Sequence, residues 1–266
     1  TGTACKAGNS YQDGSVTSME IDAVVLAARA NTGRLASESN EAYEANIEIA
    51  GKPMLSYVLS ALESVAEISR IIVVGPGDGL SGYANEKVAM AEPGDDLMDN
   101  VKIGIANAQT EFVLVSSSDI PLVTGTILRD FIAGAAAKDA DFVYPVSTKE
   151  DCESKYPGVQ RTYAKVKGAT LTGGNVFFVR KSVVEKAWPV VEKMIEYRKS
   201  PLKMASFFGF GFLLRVFLGF AGVPQIEEHV SKLIGIKCRA LKAVPEIGVD
   251  VDKPQDLELV RTVLGK

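Results

Sequence analysis

Short apolar runs alternate with amphipathic segments along the first 150 residues of the chain. The runs at residues 21–28 and 71–75 are rich in β-branched residues and end in small ones, which is typical of buried parallel strands. Between them, apolar residues recur at helical spacing over residues 54–65, and Pro53 stands where the first turn begins. The alternation predicts an α/β fold with three layers, α/β/α, around a mixed, mostly parallel sheet.

The pattern changes beyond residue 150. Two strands, 163–166 and 175–179, are expected to pair around Gly173 and Gly174, and a strand from Glu246 precedes a closing helix after Pro254. The remaining predicted elements are a strand and turn at 47–53, helices at 99–109, 124–138 and 180–197, and strands at 111–115 and 140–145.

The chain divides into a polar start and one large domain. Residues 1–18 are small, polar and turn-forming, without an apolar leader segment, so we expect a flexible extension or a remnant of expression. Residues 19–266 are expected to form a single domain with an apolar helical insertion at about 181–235. Three scattered cysteines without CxxC spacing predict neither a disulfide framework nor a structural zinc site, so a cytoplasmic location is expected.

Composition and charge limit the classes of partner. Hydrophobic residues make up 47% and charged residues 23% of the 266 residues, a balance typical of globular proteins. The net charge of −4 gives no general attraction to phosphate backbones, so no nucleic-acid partner is expected. The single histidine, His229, stands in a polar helical sequence and is expected on a solvated face rather than in catalysis.

The insertion contains a strongly apolar segment at 205–222. Glycines interrupt this segment and Arg215 lies within it, so a transmembrane span is not expected. A buried helix pair or a homodimer face explains the segment, and so does peripheral membrane contact, in which case the acceptor substrate can be lipid-linked. The basic residues that precede the segment and favour membrane contact are Lys193, Arg198, Lys199 and Lys203.

Several carboxylates of this chain follow apolar strands. In α/β sheets, ligands bind at the carboxyl ends of the strands. That rule selects the loop after Leu26 and residues 116–119, among other places. Asp119 follows an apolar strand and three serines, and Asp250 and Asp252 lie on one face of an extended segment. Because Mg²⁺ prefers oxygen ligands, these three are candidate metal ligands; the alternative roles are a turn or a helix cap for Asp119 and a helix cap for Asp252.

Three cations are expected near the same sheet edge. Lys52 precedes a helix start, and Arg29 and Arg34 lie in the first loop. Transfer of a nucleoside monophosphate brings two anions together, which requires carboxylate-bound Mg²⁺ and cations on the phosphates. Each cation alone is typical of a protein surface, but their convergence favours a phosphate site with Lys52, Arg34 and Asp119 as catalytic residues.

Several segments of the chain together carry a family pattern. In order they read AVVLAARANTGRL, IAGKPMLSYVLSAL, SSSDIPLV, LTGGNVFFV and GVDVDKPQDLELV. From about Met19 to its C-terminus, the chain resembles the MobA-like NTP transferase family, which has the GT-A-type fold of nucleotide-diphospho-sugar transferases. The resemblance implies a Rossmann-like, Mg²⁺-dependent nucleotidyltransferase that transfers NMP from an NTP to a phosphorylated acceptor and releases pyrophosphate.

The resemblance also assigns nucleotide-binding residues. It places Leu26, Ala27 and Ala28 along the base and ribose, the following loop with Arg29 on the phosphates, and Lys52 on phosphate. Further nucleotide contacts are implied for Ser118, beside the D-x-P motif, and for Gly94 and Asn100, which fit the spacing of a base-reading segment in the methylerythritol-phosphate cytidylyltransferases.

Metal and acceptor residues follow in the same way. The resemblance gives Asp119 of the D-x-P motif to Mg²⁺, and Asp252 matches the V-D-x-P-x-D-L ending, so it is preferred to Asp250 as the second ligand. The residues expected around the acceptor are Arg161, Gly173, Gly174 and Asn175.

One position departs from the family pattern. Arg29 stands where the family usually has a glycine, which would allow close approach of the backbone to phosphate. Arg29 either holds phosphate by its side chain or weakens the loop. Two alternatives therefore stay open: a catalytically weakened nucleotide-binding protein, and a nucleotide-sugar-dependent glycosyltransferase on the same fold, which usually has a D-x-D at the position of Asp119.

Overall fold

The computed structural model describes residues 19–197 and 200–265, so the predicted extension at 1–18 lies outside the described residues. Within these ranges nine strands form one sheet, and two short strands form a separate hairpin. The strands are β1 (Ile21–Leu26), β2 (Glu48–Ile49), β3 (Lys52–Pro53), β4 (Ile68–Val74), β5 (Val88–Ala91), β6 (Phe112–Ser117), β7 (Phe142–Thr148), β8 (Ala164–Val166), β9 (Ala169–Gly173), β10 (Val176–Arg180) and β11 (Cys238–Lys242). The hairpin consists of β2 and β3.

The sheet has a parallel half and a mixed half. Its order is β5-β4-β1-β6-β10-β7-β9-β8, with β11 beside β7. The first four strands of that order are parallel and apolar on both faces, as the runs of Val and Ile require. Beyond them, β10 is antiparallel to both β6 and β7. The carboxyl ends of β1, β4, β5 and β6 therefore share one side of the sheet, which we call the carboxyl edge.

Helices cover both faces of the sheet. They are α1 (Met54–Glu63), α2 (Gly77–Leu80), α3 (Leu97–Asn107), α4 (Gly125–Ala136), α5 (Lys149–Lys155), α6 (Val184–Tyr197), α7 (Pro201–Phe208), α8 (Phe210–Phe217), α9 (Val223–Ile234) and α10 (Pro254–Leu264). On one face α1 and α4 bury Leu55 and Phe131, and on the other α3 and α6 contribute Val101 and Trp188. The predicted three-layer α/β/α fold is confirmed.

Two predictions beyond residue 150 are wrong. The strand at 163–166 pairs with β9 through a turn at Gly168 (φ +83°), whereas β10 lies between β6 and β7. The segment at Glu246 is a short 3₁₀ helix, Pro245–Gly248, rather than a strand. The physical reason is Pro245, which cannot donate to a ladder but fits a first helical turn. The sequence pattern also did not predict β5 and β11.

The apolar insertion consists of the helices α6 to α9. His229 on α9 is half-buried rather than solvated, because its ring stacks on Phe212 of α8 with the centroids 3.6 Å apart. Much of α8 is nevertheless exposed, including Phe210 and Phe217. Over residues 19–197 and 200–265, no helix has both the length and the hydropathy needed to cross a bilayer. Arg198 and Lys199, which favoured membrane contact, lie outside the described residues.

Candidate functional site

The carboxyl edge places Asp119 at the end of two neighbouring strands. Leu26, the last residue of β1, is in register with Ser117, the last residue of β6. Ser118 is buried, and its backbone N–H donates to the Leu26 carbonyl at 3.2 Å. The chain therefore leaves β6 still paired to β1, and Asp119 follows directly above the first loop.

Asp119 is a largely buried carboxylate with an unused oxygen. Its Oδ1 atom is enclosed and accepts no hydrogen bond from the described residues. Burial raises the pKa of Asp119 to about 6, the Ser117 side chain acts to lower it, and the negative charges of Asp250 and Asp252 act in the same direction as burial. A buried acceptor without a donor is costly unless a ligand satisfies it. This oxygen is therefore a candidate ligand for a cation.

A backbone hydrogen bond brings the second acidic segment to the same place. The Val251 N–H donates to the Asp119 carbonyl at 2.9 Å, so Asp250 and Asp252 lie on either side of this contact. Asp250 has a raised pKa, first because it is buried, while Arg161 at 3.9 Å acts in the opposite direction. The predicted association of Asp119 with Asp250 and Asp252 is thus present in the fold.

The side chain of Arg29 forms ion pairs with two carboxylates, Asp252 and Glu44. Its Nη1 atom is 2.5 Å from Asp252 Oδ1, and its Nε atom is 3.2 Å from Glu44 Oε2. An isolated bridge between Ala30 and Tyr43 brings Glu44 next to this loop. Arg29, which departs from the family pattern, is therefore paired with Asp252, the predicted second metal ligand.

Glu44 is a site residue that the sequence reasoning missed. Its side chain is buried, and burial raises its pKa to about 6 although Arg29 acts to lower it. Asp119 and Asp252 also raise the pKa of Glu44, which places the four charged groups in one electrostatic cluster. Glu44 stands in a polar stretch without a recognisable motif, so its contact with Arg29 could not be predicted from the sequence.

The other two predicted phosphate cations stand apart from this cluster. Lys52 is exposed on β3, at the end of a two-residue turn formed by Ala50 and Gly51. Arg34 is exposed on the turn that follows the first loop. Neither side chain forms an ion pair with Asp119 or Asp252, so their place on a phosphate stays a prediction.

The predicted base-reading residues form one local unit. Asn100, buried on α3, accepts a hydrogen bond from the Gly94 N–H through Oδ1 at 2.8 Å. A Cβ atom at Gly94 would come 2.5 Å from Asp99 Cβ, so the glycine is required for this close approach. Ala27 is held to β4 by a hydrogen bond from its N–H to the Val74 carbonyl at 2.8 Å. The Gly94 contact fixes the segment before α3, and the Ala27 contact fixes the backbone at the start of the first loop.

The predicted acceptor residues lie beside the acidic segment. Asn175 donates through its N–H to the Ile247 carbonyl at 2.9 Å and accepts from the Ser117 N–H at 3.0 Å. A Cβ atom at Gly248 would come 2.6 Å from Arg161 Nη1 and 3.0 Å from the Gly173 carbonyl, so these groups adjoin. Gly174 donates to the Pro145 carbonyl at 3.1 Å. The structure therefore brings Arg161 and the Gly173–Gly174–Asn175 loop to Asp250.

The carboxylates do not form a closed metal cage. In the part of the chain that the structure describes, no group of three or more His, Cys, Asp or Glu side chains is arranged to hold a metal ion. Mg²⁺ sites in proteins commonly use one or two carboxylates together with water and substrate phosphates. Asp119, with Asp252 or Asp250, is the set of oxygen donors available for such a site.

Comparison with known proteins gives the family. Residues 23–194 match the MobA-like NTP transferase domain. The chain belongs to the MobA-like NTP transferase family. The resemblance carried by the sequence motifs is thereby confirmed, and the first loop with Arg29 lies inside the matched region.

Individual relatives agree with this membership. A solved structure of a hypothetical transferase from Thermus thermophilus has a TM-score of 0.78 and 33% identity, and the match covers 90% of this chain and 100% of that one. The bifunctional protein GlmU of Alcanivorax borkumensis is 32% identical over 119 residues, which span 43% of this chain but 25% of that protein. A 2-C-methyl-D-erythritol 4-phosphate cytidylyltransferase of Cereibacter sphaeroides is 35% identical over 109 residues, 37% of this chain and 48% of that enzyme.

Proposed function

We propose that this protein transfers a nucleoside monophosphate from an NTP to a phosphorylated acceptor and releases pyrophosphate. The supporting observation is Asp119, whose enclosed Oδ1 atom lacks a donor at the carboxyl edge beside Asp250 and Asp252. A carboxylate kept in this costly state suits a site that binds a cation together with anionic substrates. The cytidylyltransferase among the relatives gives an example of this class of transfer.

The proposed cation is Mg²⁺, with Asp119 as its first protein ligand and Asp252 as its second. Asp250, which faces Arg161, is the alternative second ligand. Bound there, Mg²⁺ would neutralise phosphate oxygens as charge develops at the α-phosphorus. The Oδ1 atom of Asp119, which accepts no hydrogen bond from the residues that the structure describes, fits this role because a hard cation satisfies a carboxylate oxygen.

The chain's own cations would position the two substrates. Lys52 and Arg34 have no ion-pair partner among the described residues and are proposed to hold the NTP phosphates, with the base near Gly94 and Asn100. Arg161 is proposed to orient the acceptor phosphate, because its guanidinium lies between Gly248 and Asp250. Two anions held by separate cations can then meet at the acidic centre.

Pyrophosphate release with ATP, CTP, GTP and UTP and a panel of phosphorylated acceptors tests this proposal. Asp119→Asn keeps the side-chain volume but removes the charge, and we expect a loss of turnover of about 10² or more. Asp130→Asn on the exposed side of α4 is the matched control and should leave turnover unchanged. An Asp119→Asn variant as active as the control would overturn the metal assignment.

One observation favours a second candidate, a nucleotide-binding protein with weak turnover. Arg29 already neutralises Asp252, the proposed second ligand, in the substrate-free fold. If this ion pair persists with substrate bound, the protein binds NTP without transferring it. Isothermal calorimetry with each NTP distinguishes the cases, since binding without pyrophosphate release for any acceptor in the panel would support this candidate.

A further inference from the structure

A partly open apolar pocket, called the apolar cavity below, lies on the face of the sheet that carries α3, α6 and α9. Its volume is about 360 Å³. Apolar side chains surround it, among them Leu26, Val101, Tyr144, Phe177, Trp188 and Val230. These residues come from the sheet and from all three helices, so the cavity lies between the sheet and its helical layer and opens to solvent at Leu97 and Tyr144.

The size and apolar lining of the cavity suit a small apolar ligand. Protein interiors are close-packed, and voids larger than a water molecule are few. Atoms that line an empty space lose their dispersion contacts, and an apolar cavity as small as about 150 Å³ stays dry and binds apolar molecules. At 360 Å³ the cavity falls within the range of about 300–1,000 Å³ typical of small-molecule sites. An apolar ligand would restore the missing contacts.

The cavity adjoins the proposed active site through two of its lining residues. Leu26 ends β1, and its carbonyl accepts the hydrogen bond from Ser118 that places Asp119. Tyr144 contacts the acceptor loop, because a Cβ atom at Gly173 would collide with its hydroxyl group. Burial raises the pKa of Tyr144, and the charge of Asp250 adds to that shift. One end of the cavity therefore lies next to the acidic centre.

A polar atom near the cavity also lacks a partner. The indole Nε1 of Trp188 is enclosed and donates to no acceptor among the described residues. A buried donor without an acceptor costs free energy, which an oxygen atom of a ligand would recover. The chemistry of the cavity thus fits a hydrocarbon chain that carries an oxygen.

The helix next to the cavity wall presents an apolar surface to solvent. His229, adjacent to the lining residue Val230 on α9, stacks on Phe212 and so attaches α8 to that wall. Large apolar side chains on or beside α8 are exposed, and lysines of the contacting hairpin β8–β9 border them. The exposed apolar residues are Phe210, Leu214, Phe217, Leu218 and Phe220, and the bordering cations are Lys165 and Lys167.

We infer that the acceptor is a lipid phosphate, with its phosphate at Arg161 and its hydrocarbon chain in the cavity. The apolar surface of α8 with its basic border fits an anionic bilayer, from which such an acceptor would come. This inference rests on the proposed function, which it deepens by naming the class of acceptor. In the transfer, an oxygen of the lipid phosphate attacks the α-phosphorus of the NTP, a new phosphoanhydride bond forms, and pyrophosphate leaves.

Binding can be measured without NTP or Mg²⁺, and therefore independently of transfer. Trp188 is the only tryptophan of the chain, so its fluorescence reports on the cavity directly. We expect hexyl, octyl and decyl phosphate, below the concentrations at which they form micelles, to change this emission. The affinity should rise by about threefold to fourfold per added carbon, the value for burial of one methylene group. Glycerol 3-phosphate should give no change in emission.

A variant that fills the cavity provides the control for location. Ala187, buried on α6, lines the cavity, and Ala187→Phe should weaken decyl phosphate binding by about tenfold or more. Ala136→Phe adds the same ring at an exposed position of α4 and should bind like the wild type. Ala187→Leu serves in the same way if the larger residue prevents folding.

The membrane contact has its own test. Cosedimentation with vesicles of phosphatidylcholine and phosphatidylglycerol should retain the wild type, and Phe217→Glu should release it. Wild type that stays in the supernatant, or affinity independent of alkyl length, would overturn the inference. Pyrophosphate release with a short phosphorylated acceptor but not with decyl phosphate would overturn it while leaving the proposed function intact. Decyl phosphate binding that fills the cavity without any pyrophosphate release would instead contradict the proposed function.

Discussion

At the scale of the residue, Asp119 is a carboxylate whose binding role has a cost in stability. Its pKa rises from 3.8 to about 6 on folding, so the folded protein holds the proton more tightly than the unfolded chain. The contribution of the protonated Asp119 side chain to the free energy of unfolding is therefore full below pH 3.8, the ordinary pKa. It is lost as the pH rises from 3.8 through about 6. Above that range the ionised side chain destabilises the free protein.

Asp119→Asn should remove this pH-dependent loss. We expect the free energy of unfolding of the variant to match the wild type near pH 4 and to exceed it by about 2–3 kcal/mol at pH 7.5, without Mg²⁺ or nucleotide. Denaturant unfolding at several pH values measures the difference. A wild type that is the more stable protein at pH 7.5 would show that Asp119 is already satisfied within the fold.

Arg29 is the residue that decides how freely Asp252 can bind a cation. The side chains are 54% and 48% exposed, and exposed ion pairs contribute only about 0.2–1 kcal/mol. Arg29→Gly should therefore strengthen Mg²⁺ binding in the presence of a non-hydrolysable NTP, by no more than about fivefold. Arg29→Lys keeps the charge and should change the affinity less. Calorimetry that shows weaker binding for Arg29→Gly would mean that Arg29 holds phosphate.

At the scale of the element, the β2–β3 hairpin that carries Lys52 has an unfavourable turn residue. Ala50 has φ +48° and Gly51 has φ +82°, so both central residues of this two-residue turn lie in the left-handed region. Asparagine tolerates that conformation better than alanine does.

Ala50→Asn should raise the free energy of unfolding by about 0.5–1 kcal/mol. Ala133→Asn, at an exposed position of α4, is the control and should lower it by about 0.7 kcal/mol because asparagine is a poorer helix former than alanine. Denaturant midpoints of the two variants should therefore move in opposite directions. A shift in the same direction for both would contradict the assigned turn conformation.

Helix α3 approaches β1 closely because it has a glycine at the contact. A Cβ atom at Gly104 would overlap Val24 Cγ1 and come 3.1 Å from Val24 Cγ2. Gly104→Ala should therefore displace α3 and lower the free energy of unfolding by about 1–3 kcal/mol. Gly211→Ala in α8 meets no atom within 4 Å and should be neutral or slightly stabilising. Equal effects in thermal unfolding would argue against this helix–sheet contact.

The elements that the sequence predicted are those with strong local patterns. β1, β4, β6 and α1 follow from apolar periodicity within a few residues. The mixed half of the sheet could not be obtained in this way, because a strand such as β10 has no local signal for its neighbours β6 and β7. Pairing partners are chosen by tertiary packing, which single-sequence patterns do not contain.

At the scale of the whole molecule, the chain folds two distant segments onto one edge. Asp119 and Val251 are linked by a backbone hydrogen bond across about half of the chain, and the family pattern indicated that association. The contacts of Arg29 with Glu44 and Asp252 depend on side-chain geometry and could not be predicted. The same is true of the apolar cavity, since a space between layers leaves no trace in the order of residues.

The central claim is that the α-phosphorus of an NTP moves to an acceptor at Asp119. The most direct measurement follows α-labelled and γ-labelled NTP in parallel, with wild type, Asp119→Asn and the Asp130→Asn control. We predict that the α-label appears in the acceptor product and the γ-label in pyrophosphate for wild type and control, and that both stay in the NTP for Asp119→Asn. Transfer of the γ-label to the acceptor, or equal α-label transfer by Asp119→Asn, would contradict the account.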